Sequence, residues 1–285
     1  FMLDTLDVAD GMSVLEIGTG TGYTAGLLCH RLGDHRVASI DIHPDLVTAA
    51  RQRLASLGYR PNLAVGDGAE GMPSAAPYDR ILSTAATPTI PAAWIDQLCP
   101  GGKILTDTRG DRAGGLVLLT RVDPDTVTGR FVPSRAHFMW LRPIAEDPIR
   151  PGEPFLTGLD LRTTGHTTTT LDPAVLTTTL DFWFFTQLLL PGAALLPDLS
   201  LPAGPVAYLA TPESFAMISP RQQPGGTHTV DYGGADNPWR HVEAAWQQWH
   251  ALGTPTPGRF GLTATHQRQW TWLDNPDHPI PQPQT

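Results

Sequence analysis

Lysine is nearly missing from this sequence. Lys103 is the single one, and 19 Lys plus Arg against 28 Asp plus Glu leave a net charge of −9. That balance excludes a protein whose affinity rests on neutralising nucleic-acid phosphates, which requires clustered cations. Any cationic role falls to arginine. Cysteine is equally scarce: Cys29 and Cys99 lie far apart without paired spacing, so neither a disulfide framework nor a cysteine zinc site is expected. A reducing, cytoplasmic setting is the simplest expectation. No apolar run reaches the roughly 20 residues of a membrane span, because the longest, Leu180 to Leu190, contains Asp181 and Gln187. The ten histidines form no HExxH or HxH grouping, so no metal site is expected. The chain opens on Phe1 rather than Met, so its natural start, with any targeting signal, is expected to lie upstream.

What is present describes a globular chain. A hydrophobic fraction of 41% beside a charged fraction of 16% can bury a real core, while 28 Gly and 28 Pro predict long loops. The length accommodates one large domain, or one of about 150 residues with a smaller second one.

From Met12 to about Arg142, short β-branched runs alternate with helical stretches, the pattern of βα units on a mostly parallel sheet. Ser13 to Ile17, Val37 to Asp41, Asn62 to Val65, Tyr78 to Thr84, Lys103 to Thr106, Leu116 to Thr120 and Gly129 to Arg135 read as seven strands. Val47, Ala50, Leu54 and Leu57 recur at helical spacing on a helix that starts near Pro44 and stops at Gly58. Pro143, Pro148, Pro151 and Pro154 then mark a linker over residues 143–160. A C-terminal α+β domain is expected over residues 161–274. Its strand-like runs are Val206 to Leu209, Ala216 to Ser219, Phe260 to Thr265 and Gln269 to Leu273, with a helix over Pro238 to Leu252. Residues 275–285 read as a frayed proline-rich tail.

The sharpest motif runs from Val14 through Glu16 and Ile17 to Gly18, Gly20 and Gly22, followed by Tyr23. A buried strand opening into alternating glycines lets a ligand approach the backbone, because no Cβ intervenes. A dehydrogenase fingerprint would want glycine where Tyr23 stands. An acid two residues before the first glycine, Glu16, instead suits the ammonium end of S-adenosylmethionine. Asp41 ends the second strand, where a carboxylate can accept two ribose hydroxyls. Asp67, between Gly66 and Gly68 after the third strand, is placed to take an adenine amino group. Taken singly, each has a plain alternative as a structural turn or a loop carboxylate. Three acids at the ends of three consecutive strands together favour the cofactor.

These residues also carry a family resemblance. Met12 to Leu28, Gly66 to Gly68, Tyr78 to Ile81 with Thr84-Ala85-Ala86, Ile90-Pro91, Gln97-Leu98 with Pro100-Gly101-Gly102, and Phe131-Val132-Pro133 resemble protein L-isoaspartyl O-methyltransferase. The likeness spans nearly all of residues 1–135. It implies a seven-stranded, doubly wound Rossmann-like α/β sheet, S-adenosylmethionine as methyl donor and a peptide carboxylate as acceptor. Cofactor-binding candidates are then Glu16, Gly18, Thr19, Gly20, Gly22, Asp41, Ile42, Gly66, Asp67, Gly68 and Thr84. Ala85, Ala86, Arg135 and His137 are candidates for the substrate side. The family's acceptor-holding serine is expected before Phe1, so no catalytic residue is assigned.

A carboxylate is already ionised at neutral pH, so the chemistry needs no general base and the missing His or Asp base is expected. Nucleic-acid amino methyltransferases carry a D/N-P-P-aromatic motif where this chain has Ser83 to Ala86. Asp236-Asn237-Pro238-Trp239 lacks the second proline and reads as a helix N-cap.

The half beyond Leu141 departs from the repair enzymes. The helix at Trp239 to Leu252, with Gly258 to Thr263 and Trp272 to Asp274, resembles methyltransferases paired with ATP-grasp peptide maturases. That likeness implies methylation of an aspartate on a crosslinked ribosomal precursor peptide, followed by aspartimide formation. A repair-type isoaspartyl methyltransferase and a noncatalytic cofactor-binding module are the alternatives. The Trp239, Trp246 and Trp249 stripe and the aromatics of Leu180 to Leu190 read as core rather than groove.

Overall fold

The computed structural model describes residues 1–109, 114–134, 136–143, 162–190, 193–202 and 204–280. After a single turn of helix, α1 (Met2–Thr5), the apolar run Val14–Ile17 forms β1, buried along its whole length. Such a strand needs neighbours on both edges and cover on both faces. It lies between parallel partners β2 (Val37–Asp41) and β4 (Tyr78–Thr87), with Val14 in register with Val37 on one side and Arg80 on the other. Helix α2 (Tyr23–Leu32) connects β1 to β2, and α3 (Pro44–Ser56) connects β2 to β3 (Asn62–Val65). The helical stripe read from sequence is buried: Val47, Ala50 and Leu54 pack with Ala25 and Leu63. Pro44 stands in the first turn of α3 and Gly58, at φ +87°, lies just beyond its end.

The short α4 (Ala92–Asp96) leads into β5 (Leu98–Arg109), β6 (Gly114–Asp123) and β7 (Thr126–Phe131). All seven strands read from sequence are present, the last beginning three residues earlier and ending at Phe131. They do not complete the sheet. The hairpin β13 (Phe260–Thr265) and β14 (Gln269–Leu273) joins it, giving the order β14-β13-β7-β6-β5-β4-β1-β2-β3. These strands were expected in the C-terminal domain. Instead β13 covers the edge of β7, with Gly261 opposite Arg130 and the Thr128 and Thr263 hydroxyls 2.7 Å apart. An open strand edge takes any matching partner, and strand alternation cannot show that the partner lies about 130 residues away.

The chain folds into two compact units. The first comprises Phe1–Thr108, Gly115–Pro148 and Gly258–Pro279, and the second is mainly Ile149–Pro257. The second unit holds an antiparallel sheet of order β8-β12-β11-β10-β9: β8 (Gly165–Thr169), β9 (Ala194–Leu201), β10 (Gly204–Ala210), β11 (Ser214–Gln222) and β12 (His228–Gly234). Sequence reading missed β9, where Pro197 argues against a strand but is tolerated at a sheet edge, and β12, which ends in two glycines. Helices α5 (Val175–Thr178), α6 (Leu180–Leu189) and α7 (Pro238–Ala251) complete the unit. Phe182 to Phe185 are all buried, and Phe182 meets Trp246 and Trp249 with ring centroids 4.8 and 5.6 Å away. The aromatic stripes are therefore core. Asn237 caps α7, its side chain accepting from the Trp239 amide.

The expected linker lies, from residue 144 on, outside the described residues. Of the expected tail, Ile280 is buried and Pro279 bridges to Trp272, while residues 281–285 lie outside the described residues. No helix among the described residues is long and apolar enough to cross a membrane.

Candidate cofactor and active site

Strand order reverses at β1, whose neighbours β2 and β4 lead away in opposite directions. In an open α/β sheet such a switch point leaves a crevice at the carboxyl ends of the strands. Here Gly18 follows β1, Asp41 ends β2, Gly66 follows β3, and Thr84 and Ala85 lie near the carboxyl end of β4. Gly18, Gly20, Asp41, Ile42, Gly68, Thr84 and Ala85 all line this crevice.

The glycines are required by geometry. Gly18 has φ +92°, and a Cβ there would stand 2.7 Å from Thr84 Oγ1. That hydroxyl donates toward the carbonyls of Ile17 and Gly18, at 3.1 and 2.9 Å, tying β4 to the loop. At Gly68 a Cβ would meet Ile17 at 2.7 Å and Leu141 at 2.8 Å. Gly22 does not line the crevice; its bare Cα admits Ala50 and so lets α2 pack on α3.

Asp41 is the acid that faces the crevice. One of its oxygens accepts from the Gly20 amide at 2.9 Å and the other from the His43 amide at 3.0 Å, which aims the carboxylate while leaving lone pairs for further donors. Glu16 behaves differently. It is 1% exposed and is absent from the crevice lining; its carboxyl accepts from Ser39 Oγ at 2.6 Å, and Ser39 Oγ stands 2.7 Å from Thr19 Oγ1. Burial, with a smaller contribution from the Asp41 charge, pushes its pKa up to about 8 against the lowering hydrogen bond from Ser39. Glu16 and Thr19 therefore brace the glycine loop from behind. The expected direct contact between Glu16 and an ammonium group is not what this geometry offers.

Asp67 also turns inward on its own loop, capping a short 3₁₀ turn by accepting from Ala69 N at 2.8 Å. Gly66 donates to the Asp41 carbonyl. On the expected substrate side, Ala85 lines the crevice, but Ala86 is fully buried and both its backbone groups are taken: its amide donates to Met139 O and its carbonyl accepts from Leu141 N, each at 2.8 Å. Ala86 has no backbone edge left for a peptide. His137 is exposed and outside the lining, and Arg135 lies outside the described residues.

Sequence reading missed His43, Leu46 and the run Met139 to Leu141, which line the crevice together with Arg142, a residue the sequence offers only as a contact for an acidic peptide. Only the apolar run Phe138 to Leu141 hinted at that segment, and nothing local connects it to strands roughly 50 to 125 residues earlier.

S-adenosylmethionine suits what is present: a backbone cradle that a Cβ would fill, a fixed carboxylate beside it, and apolar walls from Ile17, Ile40 and Ile42. Comparison with known proteins agrees. Residues 1–131 match the family described as Protein-L-isoaspartate(D-aspartate) O-methyltransferase (PCMT). The protein-L-isoaspartate O-methyltransferase of Thermococcus onnurineus is 42% identical over 106 residues, covering 36% of this chain and 48% of that protein. That of Xanthobacter autotrophicus is 50% identical over 105 residues, covering 36% and 47%. Protein-L-isoaspartate O-methyltransferase 2 of Archaeoglobus fulgidus is 38% identical over 145 residues, covering 48% and 66%. The chain thus spans between about half and just under two thirds of these relatives. A solved structure named protein-L-isoaspartate O-methyltransferase shares the fold at a TM-score of 0.53 and 19% identity, covering 96% of this chain and 79% of that one. The nine-stranded sheet is a methyltransferase fold, and residues 1–131 match the protein-L-isoaspartate O-methyltransferase family.

Proposed function

We propose that this protein is an S-adenosylmethionine-dependent carboxyl methyltransferase of the repair type, acting on the free carboxylate of isoaspartyl residues in peptides or proteins. The convergence of Gly18, Asp41, Gly68 and Thr84-Ala85 on one crevice, inside the family-matching segment, carries this reading. When bound, the cofactor supplies an electrophilic sulfonium methyl group. Asp41 would hold the ribose hydroxyls, with its orientation fixed by the Gly20 and His43 amides. Gly18 and Gly20 would admit the amino-acid end, and Ile42 and Gly68 would flank the base. Ala85, at the end of β4, would border the acceptor. None of these groups must move a proton, since the acceptor carboxylate arrives ionised. Catalysis is then a matter of orientation and water exclusion.

The tailoring reading, in which a crosslinked precursor peptide is methylated, drew on the extra C-terminal half. A solved structure named protein-L-isoaspartate O-methyltransferase shares the fold across 96% of this chain, so the fold of that half does not by itself favour the tailoring reading. The test is methyl transfer to an isoaspartyl peptide, its aspartyl isomer and a crosslinked aspartyl peptide. Preference for the isoaspartyl form is expected. Transfer to the crosslinked peptide alone would reverse the choice, and no transfer to any of them would favour a noncatalytic cofactor-binding module.

A further inference from the structure

Residues 136–142 cross the carboxyl edge of the first sheet. Ala136 and Phe138 pack against the cluster of Leu6, Leu82, Leu105 and Leu116, and the Phe138 amide donates to Asp107 at the end of β5. The next residues pair with Ala86 at the end of β4 through the two bonds given above. Leu141 then reaches Gly68, where only glycine leaves it room. Arg142 ends the run over β2, its Nη2 2.9 Å from His43 Nε2. Side chains alternate as on a strand: Phe138 and Trp140 turn inward, whereas Met139 is 76% exposed. The path runs from β5 over β4 to the loops after β3 and β2, and Met139 to Arg142 line the crevice beside Asp41 and Gly68.

We propose that residues 138–142 are a strap that closes the adenosyl end of the crevice, and that Arg142, latched onto His43, is a positioning residue that slows release of adenosyl compounds. The proposal rests on the donor-binding reading above. A guanidinium has only donors, so the latch requires Nε2 of His43 to be an acceptor. His43 is itself tied to Asp41 through its backbone amide. The latch therefore joins the strap to the residue assigned to the ribose.

Release rates of S-adenosylhomocysteine and of 5′-methylthioadenosine, which lacks the amino-acid end, test this on the full chain. Arg142→Leu and His43→Leu are each expected to speed release of both compounds about tenfold, as expected for one charge-assisted hydrogen bond. The double variant is expected to be no faster than either single one, since both remove the same bond. His43→Gln, which keeps an acceptor, is expected to stay near the parent rate. Unchanged release in both leucine variants, multiplying effects in the double variant, or an effect confined to S-adenosylhomocysteine would overturn the strap. So would a raised acceptor KM in Arg142→Leu with donor release unchanged, which would make Arg142 an acceptor-binding residue. Failure of the parent protein to bind either compound would instead remove the donor reading itself.

Discussion

The two units spend their buried polar groups differently. At the crevice of the first, Glu16, Ser39 and Thr19 form a continuous hydrogen-bonded chain, and both oxygens of Asp41 are engaged by backbone amides. In the second, the core is aromatic. The indole nitrogens of Trp183 and Trp239 and Nδ2 of Asn237 are buried with no hydrogen-bond partner among the described residues. A buried indole N–H usually finds a partner, so these orphans are a cost that the packing of the rings must offset, whereas a ligand cradle depends on dipoles held in fixed directions. Thr106 and Thr271 Oγ1 show that orphans occur in the first unit too, so the difference is local: polar groups at the crevice are held in fixed directions, and those in the aromatic core are not.

The most severe test of that contrast is Trp239→Ala. Trp239 is fully buried against the second unit's sheet, and its truncation is expected to cost about 3–5 kcal/mol in urea denaturation. Calorimetric affinity for S-adenosylhomocysteine should stay unchanged under native conditions. A parallel loss of affinity would show that the packing of the second unit and the site cannot be separated.

Asp41→Ala addresses the other side. Loss of its charge-assisted bonds is expected to weaken binding of the same compound by about 1–3 kcal/mol with little change in melting temperature. An unchanged affinity in a folded variant would take Asp41 out of the site.

The smallest effect is a slope. Because the Glu16 pKa rises from an ordinary 4.5 to about 8, the unfolded chain releases this proton at lower pH than the folded one. Between those values the folded state binds more protons, so the contribution of Glu16 to stability is greatest at or below pH 4.5 and falls as pH rises toward 8. The decline is at most about 1.4 kcal/mol per pH unit. Glu16→Gln should flatten the dependence of unfolding free energy on pH between 5 and 8. An equally steep dependence in the variant would assign it to other groups.

Much of the first unit was legible because its signals are local. Three glycines after a buried strand, acids at consecutive strand ends and a helical stripe ending at Gly58 each report on a few neighbouring residues. The candidate site was legible only in part. That Gly18, Asp41 and Thr84 meet could be anticipated from strand order, but the sequence does not show which acid faces the crevice. Glu16 and Asp67 turn inward because a buried hydroxyl and a short turn claim their oxygens first.

By itself, the sequence determined the βα alternation, the glycine loop, the aromatic core of the second half and the absence of a long apolar span. All of these follow from periodicity and composition over short windows. Only the tertiary structure decided that the hairpin β13–β14 completes the first sheet, that Ala86 is occupied by the chain's own Met139 to Leu141, and that Arg142 meets His43. Those pairings join residues roughly 50 to 130 positions apart. They form because an open strand edge, an unpaired backbone group or an unshielded glycine must be satisfied by whatever the folded chain brings beside it, and no local pattern names that partner.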